Sequence, residues 1–398
     1  MKGAAMKKLS RYLNLKIFFI LSVVLLSVLC GCSDTPNMVI REDVTFRAEP
    51  AKVVISSAGN VDLGIITEDP QNEILVVTND SIVYSCIAES QKNVNSCDFY
   101  RYVIETQEHI KLGTVYNCSY GLGHCFVNNK IYIPRLCQLT TSEEVSNWIL
   151  ELDLNTNTMS VVSKGKEHET IYNYNMQGFG KYLILLQTQD ELQRLVAYDT
   201  DTRELIALMT YEYNSIEGKG EQIRAFDVGQ NSISILIKEI DDSASEKYRI
   251  DIYDDEIRLI DTMDVTMMAN WSKGVKDFEY ENGYLIGSNI NNEGFVGKIN
   301  GNEVNTIAEF EETSLFLLPE ITECMRYKMW LDRETNEIFR FDMQNGIIEK
   351  AKLNIKGIED CSVSILRYSE ESMVIKLTSN KEQIFHYILM EEIEFISI

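Results

Sequence analysis

A strand pattern returns along this chain at a nearly constant interval, and that period limits the fold more than any other feature. Copies begin near Phe99, Trp148, Arg194, Tyr248, Phe295, Ile338 and Ile384, separated by 49, 46, 54, 47, 43 and 46 residues. In the clearest copies a strand closes on Asp or Asn and a tight turn leads straight into the next strand. Asp153 is followed by Asn155, Thr156 and Asn157, and Asp199 by Thr200, Asp201 and Thr202. Each copy also has room for two strands ahead of that hairpin. In the third, an inner strand is expected from Tyr172, a turn at Gly178, Phe179 and Gly180, and a return over 181–188. Four strands per ~40–50 residues is the period of propeller blades, where radial closure protects most sheet edges. A pair of β-sandwiches gives no reason for such regularity.

The expected fold class is therefore all-β, a β-propeller of seven four-stranded blades, with eight as the rival count. The last blade is expected to run over 361–368, 373–378, 383–390 and 393–398. Residues 52–57 and 62–67 are left over as a cap, a closing strand or a fragment of an eighth blade. The Asp-x-x-Thr-like turns resemble those of pyrroloquinoline-quinone-type and related bacterial propeller repeats, which implies the fold over nearly the whole chain after residue 51. The repeated Trp of quinone-type blades is missing, with only Trp148, Trp271 and Trp330 present, so no quinone and no other cofactor is expected. The turn carboxylates are expected to accept hydrogen bonds from the backbone amides that follow them. Calcium at Asp199 and Asp201 would need further oxygen ligands that the sequence does not place nearby.

Residues 1–31 read as a targeting segment preceding the fold, a signal helix. Lys2, Lys7, Lys8, Arg11 and Lys16 precede an uncharged apolar run over 17–29. That run is short against the roughly 20 residues a permanent span needs. Leu29, Cys30, Gly31 and Cys32 follow, and this run resembles the lipobox of bacterial lipoproteins, with Cys30 where Ala or Ser is usual. The resemblance implies cleavage before Cys32, lipid on Cys32, and display on the extracytoplasmic side of a membrane, at the cell surface or in the periplasm. Residues 32–51, with Pro36 and Pro50, read as a flexible tether, and 52–398 as the propeller domain. Removing five cations takes the formal charge from −24 to −29. Such a balance argues against nucleic-acid partners, which need clustered Lys and Arg.

Seven cysteines follow Cys32, an odd number. Cys86 with Cys97, and Cys118 with Cys125, are the bridges suggested by hairpin spacing in an exported chain. Buried thiols are the plain alternative. A zinc site from His124, Cys125 and either Cys118 or Cys137 is the sharper one, without any Cys-x-x-Cys spacing to support it, so no metal is expected.

The loops divide into two sets. Turns between first and second strands, such as Asn128 with Asn129 and Asn282 with Gly283, are tight and tolerate positive φ. Loops over 89–97, 115–123, 135–147, 211–222, 238–247 and 266–276 are long and share the opposite face. Binding residues concentrate on such loops. Tyr116, Tyr120, Tyr211, Tyr213 and Trp271 are the candidate partner-binding aromatics there. No catalytic motif occurs, and the histidines number four, at 109, 124, 168 and 386. The leading expectation is a non-catalytic binding or interaction module that takes an envelope protein, a small solute or a glycan. The rival is an extracellular hydrolase or lyase acting on a glycan, which would need a perturbed carboxylate pair in the propeller mouth.

Overall fold

The computed structural model describes residues 38–40, 52–53, 73–89, 95–118, 124–164, 176–189, 192–214, 219–229, 232–240, 246–265, 275–289, 294–300, 303–310, 315–317, 326–332, 335–353, 361–379 and 383–398. The chain separates into two compact units, Met1–Val39 and Ile40–Ile398, and the propeller belongs to the second. The expected signal segment over 1–31 and Cys32 lie outside the described residues. Of the expected tether, Met38–Ile40 is a short strand.

Seven consecutive blades make up the propeller. Blade 1 runs over Glu73–Val77, Ser81–Glu89, Asn95–Val103 and Glu108–Tyr116. Blade 2 follows with Cys125–Val127, Lys130–Cys137, Ser146–Asp153 and Thr158–Lys164. Blade 3 has Gln177–Phe179, Tyr182–Gln189, Leu192–Asp199 and Leu205–Asn214, and blade 4 has Lys219–Val228, Ser232–Ile240, Glu246–Asp254 and Leu259–Asp264. Blade 5 comprises Val275–Glu281, Tyr284–Asn289, Gly294–Asn300 and Glu303–Phe310. Blade 6 comprises Leu315–Leu317, Tyr327–Asp332, Glu337–Asp342 and Ile347–Leu353. Blade 7 has three strands among the described residues, Ser362–Tyr368, Ser372–Thr378 and Gln383–Leu389. In blade 3 the first turn falls at Gly180, one step later than expected, since Gly178 and Phe179 pair with Leu183 and Tyr182.

Burial falls from the axis to the rim. Glu73–Val77, an innermost strand, is buried at every position after Glu73, whereas Leu259–Asp264, an outermost one, buries only Met263. Because successive side chains point to opposite faces, each inner strand packs against both neighbouring blades. Ile131 and Ile133 join the core shared with blade 1, while Tyr132 between them joins the core shared with blade 3. This is why second strands read as unbroken apolar runs. The same pattern links blades 3 and 4, 4 and 5, and 6 and 7. Blades 5 and 6 meet through Tyr284 against Phe341, ring centroids 5.3 Å apart.

The expected turn chemistry is present. Asp153 Oδ1 accepts from the amides of Asn155 and Thr156 at 2.8 and 3.2 Å. Asp199 does so from Asp201 and Thr202, and Asp342 from Gln344 and Asn345. A cation at or just before the second strand completes each turn. Lys130 lies 3.7 Å from Asp153, Lys181 2.7 Å from Asp199, and Arg326 2.5 Å from Asp342. The repeat is thus a local carboxylate clamp that ties the third-to-fourth turn to the second strand. Asp199 is occupied in this way, so the calcium alternative loses its ligand.

Ring closure uses no exchanged strand among the described residues. Blade 7 packs directly on blade 1 through Val374, Phe385 and Tyr387 against Ile74, Val77, Ile82, Tyr84 and Tyr102. Across the seam Arg367 Nε donates to Ile74 O at 2.7 Å and Tyr387 OH to Thr78 O at 2.7 Å. The C-terminal segment does not complete blade 7 as expected. A 3-10 turn at Met390–Glu392 redirects it, and Ile396–Ser397 pairs antiparallel with Lys350 and Glu349 on the outer edge of blade 6. Phe395 stacks 3.8 Å from the Arg340 guanidinium on that edge. Lys52–Val53, the described part of the left-over N-terminal stretch, pairs parallel with Lys352 and Leu353 on the same edge. It is therefore no part of an eighth blade.

Candidate functional site

The expected loop over 211–222 is largely sheet. The outer strand of blade 3 and the inner strand of blade 4 run on as a hairpin, with Tyr213 opposite Gly220 and Asn214 opposite Lys219. Tyr211 is consequently a core residue, 6 % exposed and packed among Ile223, Phe226 and Ile237. Its hydroxyl lies 3.3 Å from that of Tyr253, and burial first, then Tyr253, raises its pKa well above the usual phenol range. This corrects its assignment as a partner-binding aromatic. Extended pairing with the next blade draws inward a side chain that a loop would have exposed. Tyr211→Ala should cost about 3–5 kcal/mol of stability by cavity formation, whereas Tyr211→Phe should cost about 1. Denaturant melts of the two variants check the difference. Tyr116 is half-buried and pairs with Gln138 through reciprocal backbone hydrogen bonds of 2.8 Å. Tyr213 is placed in its strand, and Tyr120 and Trp271 lie outside the described residues.

The expected disulfides are not the ones the geometry permits. Cys86 is registered with Asp98 and Cys97 with Ile87, so their side chains leave opposite faces of the sheet. Cys125 packs into the core between blades 2 and 3, while Cys118 packs against the core between blades 1 and 2. His124 directs Nε2 at Leu75 O and is fully enclosed. Burial, then Arg367 and Arg135, holds its pKa well below the usual imidazole range, so the ring is neutral. Among the described residues no group of three His, Cys, Asp or Glu could hold a metal ion.

Two charged clusters occupy the inner strands, neither of them legible from spacing. At the loop end, the Glu73 carboxylate lies between two guanidiniums, 3.4 Å from Arg135 and 3.4 Å from Arg367. Blades 1, 2 and 7 are joined there. Toward the tight-turn end, Lys328 of blade 6 reaches Glu279 of blade 5 at 2.7 Å. Asp227 of blade 4 accepts the Tyr280 amide at 2.9 Å. Burial, then repulsion by Glu279, pushes Asp227 up to about 7 against the pull of Lys328. Burial works against the charge of Lys328, but Glu279 and Asp227 outweigh it and hold its pKa above the usual range.

These are two buried carboxylates beside one ammonium, not arranged as the acid and base of a glycosidase. Both carboxylates are under a tenth exposed, one bound to an ammonium and the other to a backbone amide. A catalytic acid and base must reach substrate and water. The cluster instead ties three blades together.

A few large apolar side chains are nonetheless exposed to solvent. Leu205 and Ile206 open the outer strand of blade 3, each 43 % exposed, and Leu259 and Ile260 open that of blade 4 at 55 and 59 %. The corresponding first residues are Glu108 and His109 in blade 1, and Thr158 and Met159 in blade 2. Near the loop face, Leu136 and Val145 are also exposed.

No described protein family matches the chain, and no curated protein sequence matches it. Solved propellers share its architecture. The β-propeller domain of the trilobed protease from Pyrococcus furiosus superimposes with a TM-score of 0.48 at 12 % identity, over 81 % of this chain and 95 % of that one. BamB from Moraxella catarrhalis gives 0.38 at 12 % identity, over 78 and 82 %. TolB from Acinetobacter baumannii gives 0.35 at 10 % identity, over 79 and 81 %. Likeness at this level concerns the fold and carries nothing about ligand or partner.

Proposed function

We propose that this chain is a non-catalytic protein-interaction module, held on the extracytoplasmic side of a membrane by lipid on Cys32. The observation that carries the interaction reading is the pair of apolar steps on adjacent outer strands, Leu205 with Ile206 and Leu259 with Ile260. Isolated exposed hydrophobics are ordinary, but the same two-residue apolar step on neighbouring blades, where the outer strands of blades 1 and 2 open on Glu108 and Thr158, marks a contact surface. The ion-paired inner clusters supply rigidity rather than chemistry, and the acidic chain is suited to an envelope protein rather than to nucleic acid. The lipid anchor rests on the lipobox-like run from Leu29 to Cys32.

Crosslinking on intact cells with affinity recovery tests the contact, and labelling with fatty acid tests the anchor. Each buried Leu or Ile contributes roughly 1.5–3 kcal/mol to an interface. Ile260→Lys should therefore weaken partner recovery about tenfold or more while the thermal melt stays unchanged. Labelled fatty acid should be incorporated into the native chain and not into Cys32→Ser. Full partner recovery by the Ile260→Lys variant would remove the blade 3 and 4 rim as the contact, and equal labelling of Cys32→Ser would remove the lipid on Cys32.

A further inference from the structure

Three cysteines, two from strands of different blades and one from the connector, converge beside the blade 1 to blade 2 connection. Cys97 opens the third strand of blade 1, Cys137 ends the second strand of blade 2, and Cys118 sits in the connector between the blades. The backbone brings them together. Asn117 donates to Asn95 O at 2.8 Å and adopts a left-handed φ of 48°, which turns the chain back over the start of the third strand. The Tyr116–Gln138 bridge lays the end of the blade 2 strand alongside. Cys97 and Cys137 are buried in one core, and Cys118, partly exposed, packs against its edge.

Within this group the thiols are unequal. Cys97 and Cys118 share a side-chain hydrogen bond in which Cys97 is the donor, its own pKa being raised by that bond and by burial. The same bond, with help from the Arg135 guanidinium, lowers the pKa of Cys118. Burial pushes Cys137 up to about 12. One sulfur is therefore activated and reachable, one is adjacent and enclosed, and the third is inert.

We propose that Cys97 and Cys118 are a redox-active pair that closes to a disulfide by exchange with a disulfide donor. The Cys118 thiolate attacks a donor sulfur, so a mixed disulfide forms and the donor S–S bond breaks. The departing donor thiolate takes up the proton that Cys118 gave up. Cys97, as thiolate, then attacks the Cys118 sulfur and expels the second donor thiol, which takes the proton from Cys97. Two thiols of the protein are oxidised by two electrons and the donor is reduced to its dithiol form. The bond fastens the connector to blade 1 and closes a loop of roughly 20 residues. Since the connector carries the chain into blade 2, oxidation stiffens the loop end where Arg135 and Glu73 meet.

The test uses the full chain purified in detergent and equilibrated in reduced or oxidised glutathione, then alkylated and mapped by mass spectrometry. A Cys97–Cys118 linked peptide is expected in the oxidised buffer, with Cys86, Cys125 and Cys137 alkylated after unfolding. The oxidised protein should melt about 5 °C higher than the reduced one. That shift should vanish in Cys118→Ser and persist in Cys137→Ser. Alkylation of both Cys97 and Cys118 after oxidising treatment, or a linked peptide joining Cys118 to Cys137, overturns the proposal. The peptide map of the unmodified sequence decides the matter even if a serine variant fails to fold.

Discussion

Lys328→Met is expected to destabilise the propeller by about 3–5 kcal/mol at pH 8, because it leaves Glu279 and Asp227 buried without their cation. The cost arises from desolvation rather than from the lost contact alone. Taking an isolated carboxylate out of water is unfavourable, and the Lys328 ammonium offsets that for both acids. Lowering the pH should rescue the variant in part, since protonation removes the uncompensated charge. The same cluster makes the native protein pH-sensitive. Asp227 has a folded pKa of about 7 against an ordinary value of 3.8. Protons bind more tightly to the folded state, so this contribution is complete below about pH 4 and is lost as the pH rises to about 7. Asp227→Asn, which imitates the protonated acid, should therefore gain in melting temperature relative to the native chain between pH 5 and pH 8. Parallel melting curves across that range would show that Asp227 is ionised throughout.

Tyr387→Ala should cost a similar 3–5 kcal/mol, for a different reason. Blades 1 and 7 are held at their seam by side chains and by hydrogen bonds onto the Ile74 and Thr78 carbonyls. Tyr387 is buried at that seam, and its hydroxyl also donates across it. Deleting the ring opens a cavity where no exchanged strand among the described residues resists separation. Tyr387→Phe keeps the ring and loses only the hydrogen bond, about 1 kcal/mol, plus the desolvation of a carbonyl that Ser372 Oγ still reaches at 2.9 Å. Hydrogen exchange should show blades 1 and 7 opening before blades 3 and 4 in the alanine variant. Uniform loss of protection would place the weak point elsewhere.

The strand period pointed to the fold class and to seven blades with eight as the rival, because a four-stranded blade is a local object, and the structure decided for seven. Its turns are written in adjacent residues such as Asp153 with Asn155, and its strands pair in sequence order. Charge and the missing motifs narrowed the function in the same local way. The contents of the site were not legible, because these inner charges meet partners from other blades, from one repeat to nearly the whole ring away in sequence. Lys328 and Glu279 stand in different blades, and nothing in either segment names the other. Tyr211 reads as a loop aromatic until its strand is seen to pair with the next blade. Cys97 was assigned to Cys86 by nearness in sequence, but the alternation of the strand sends them to opposite faces. The last strand pairs with the outer edge of blade 6 rather than with blade 7, and Phe395 stacks on Arg340 there. Periodicity fixes which residues form strands and turns, whereas the pairing of distant edges and charges is set by packing in the closed ring.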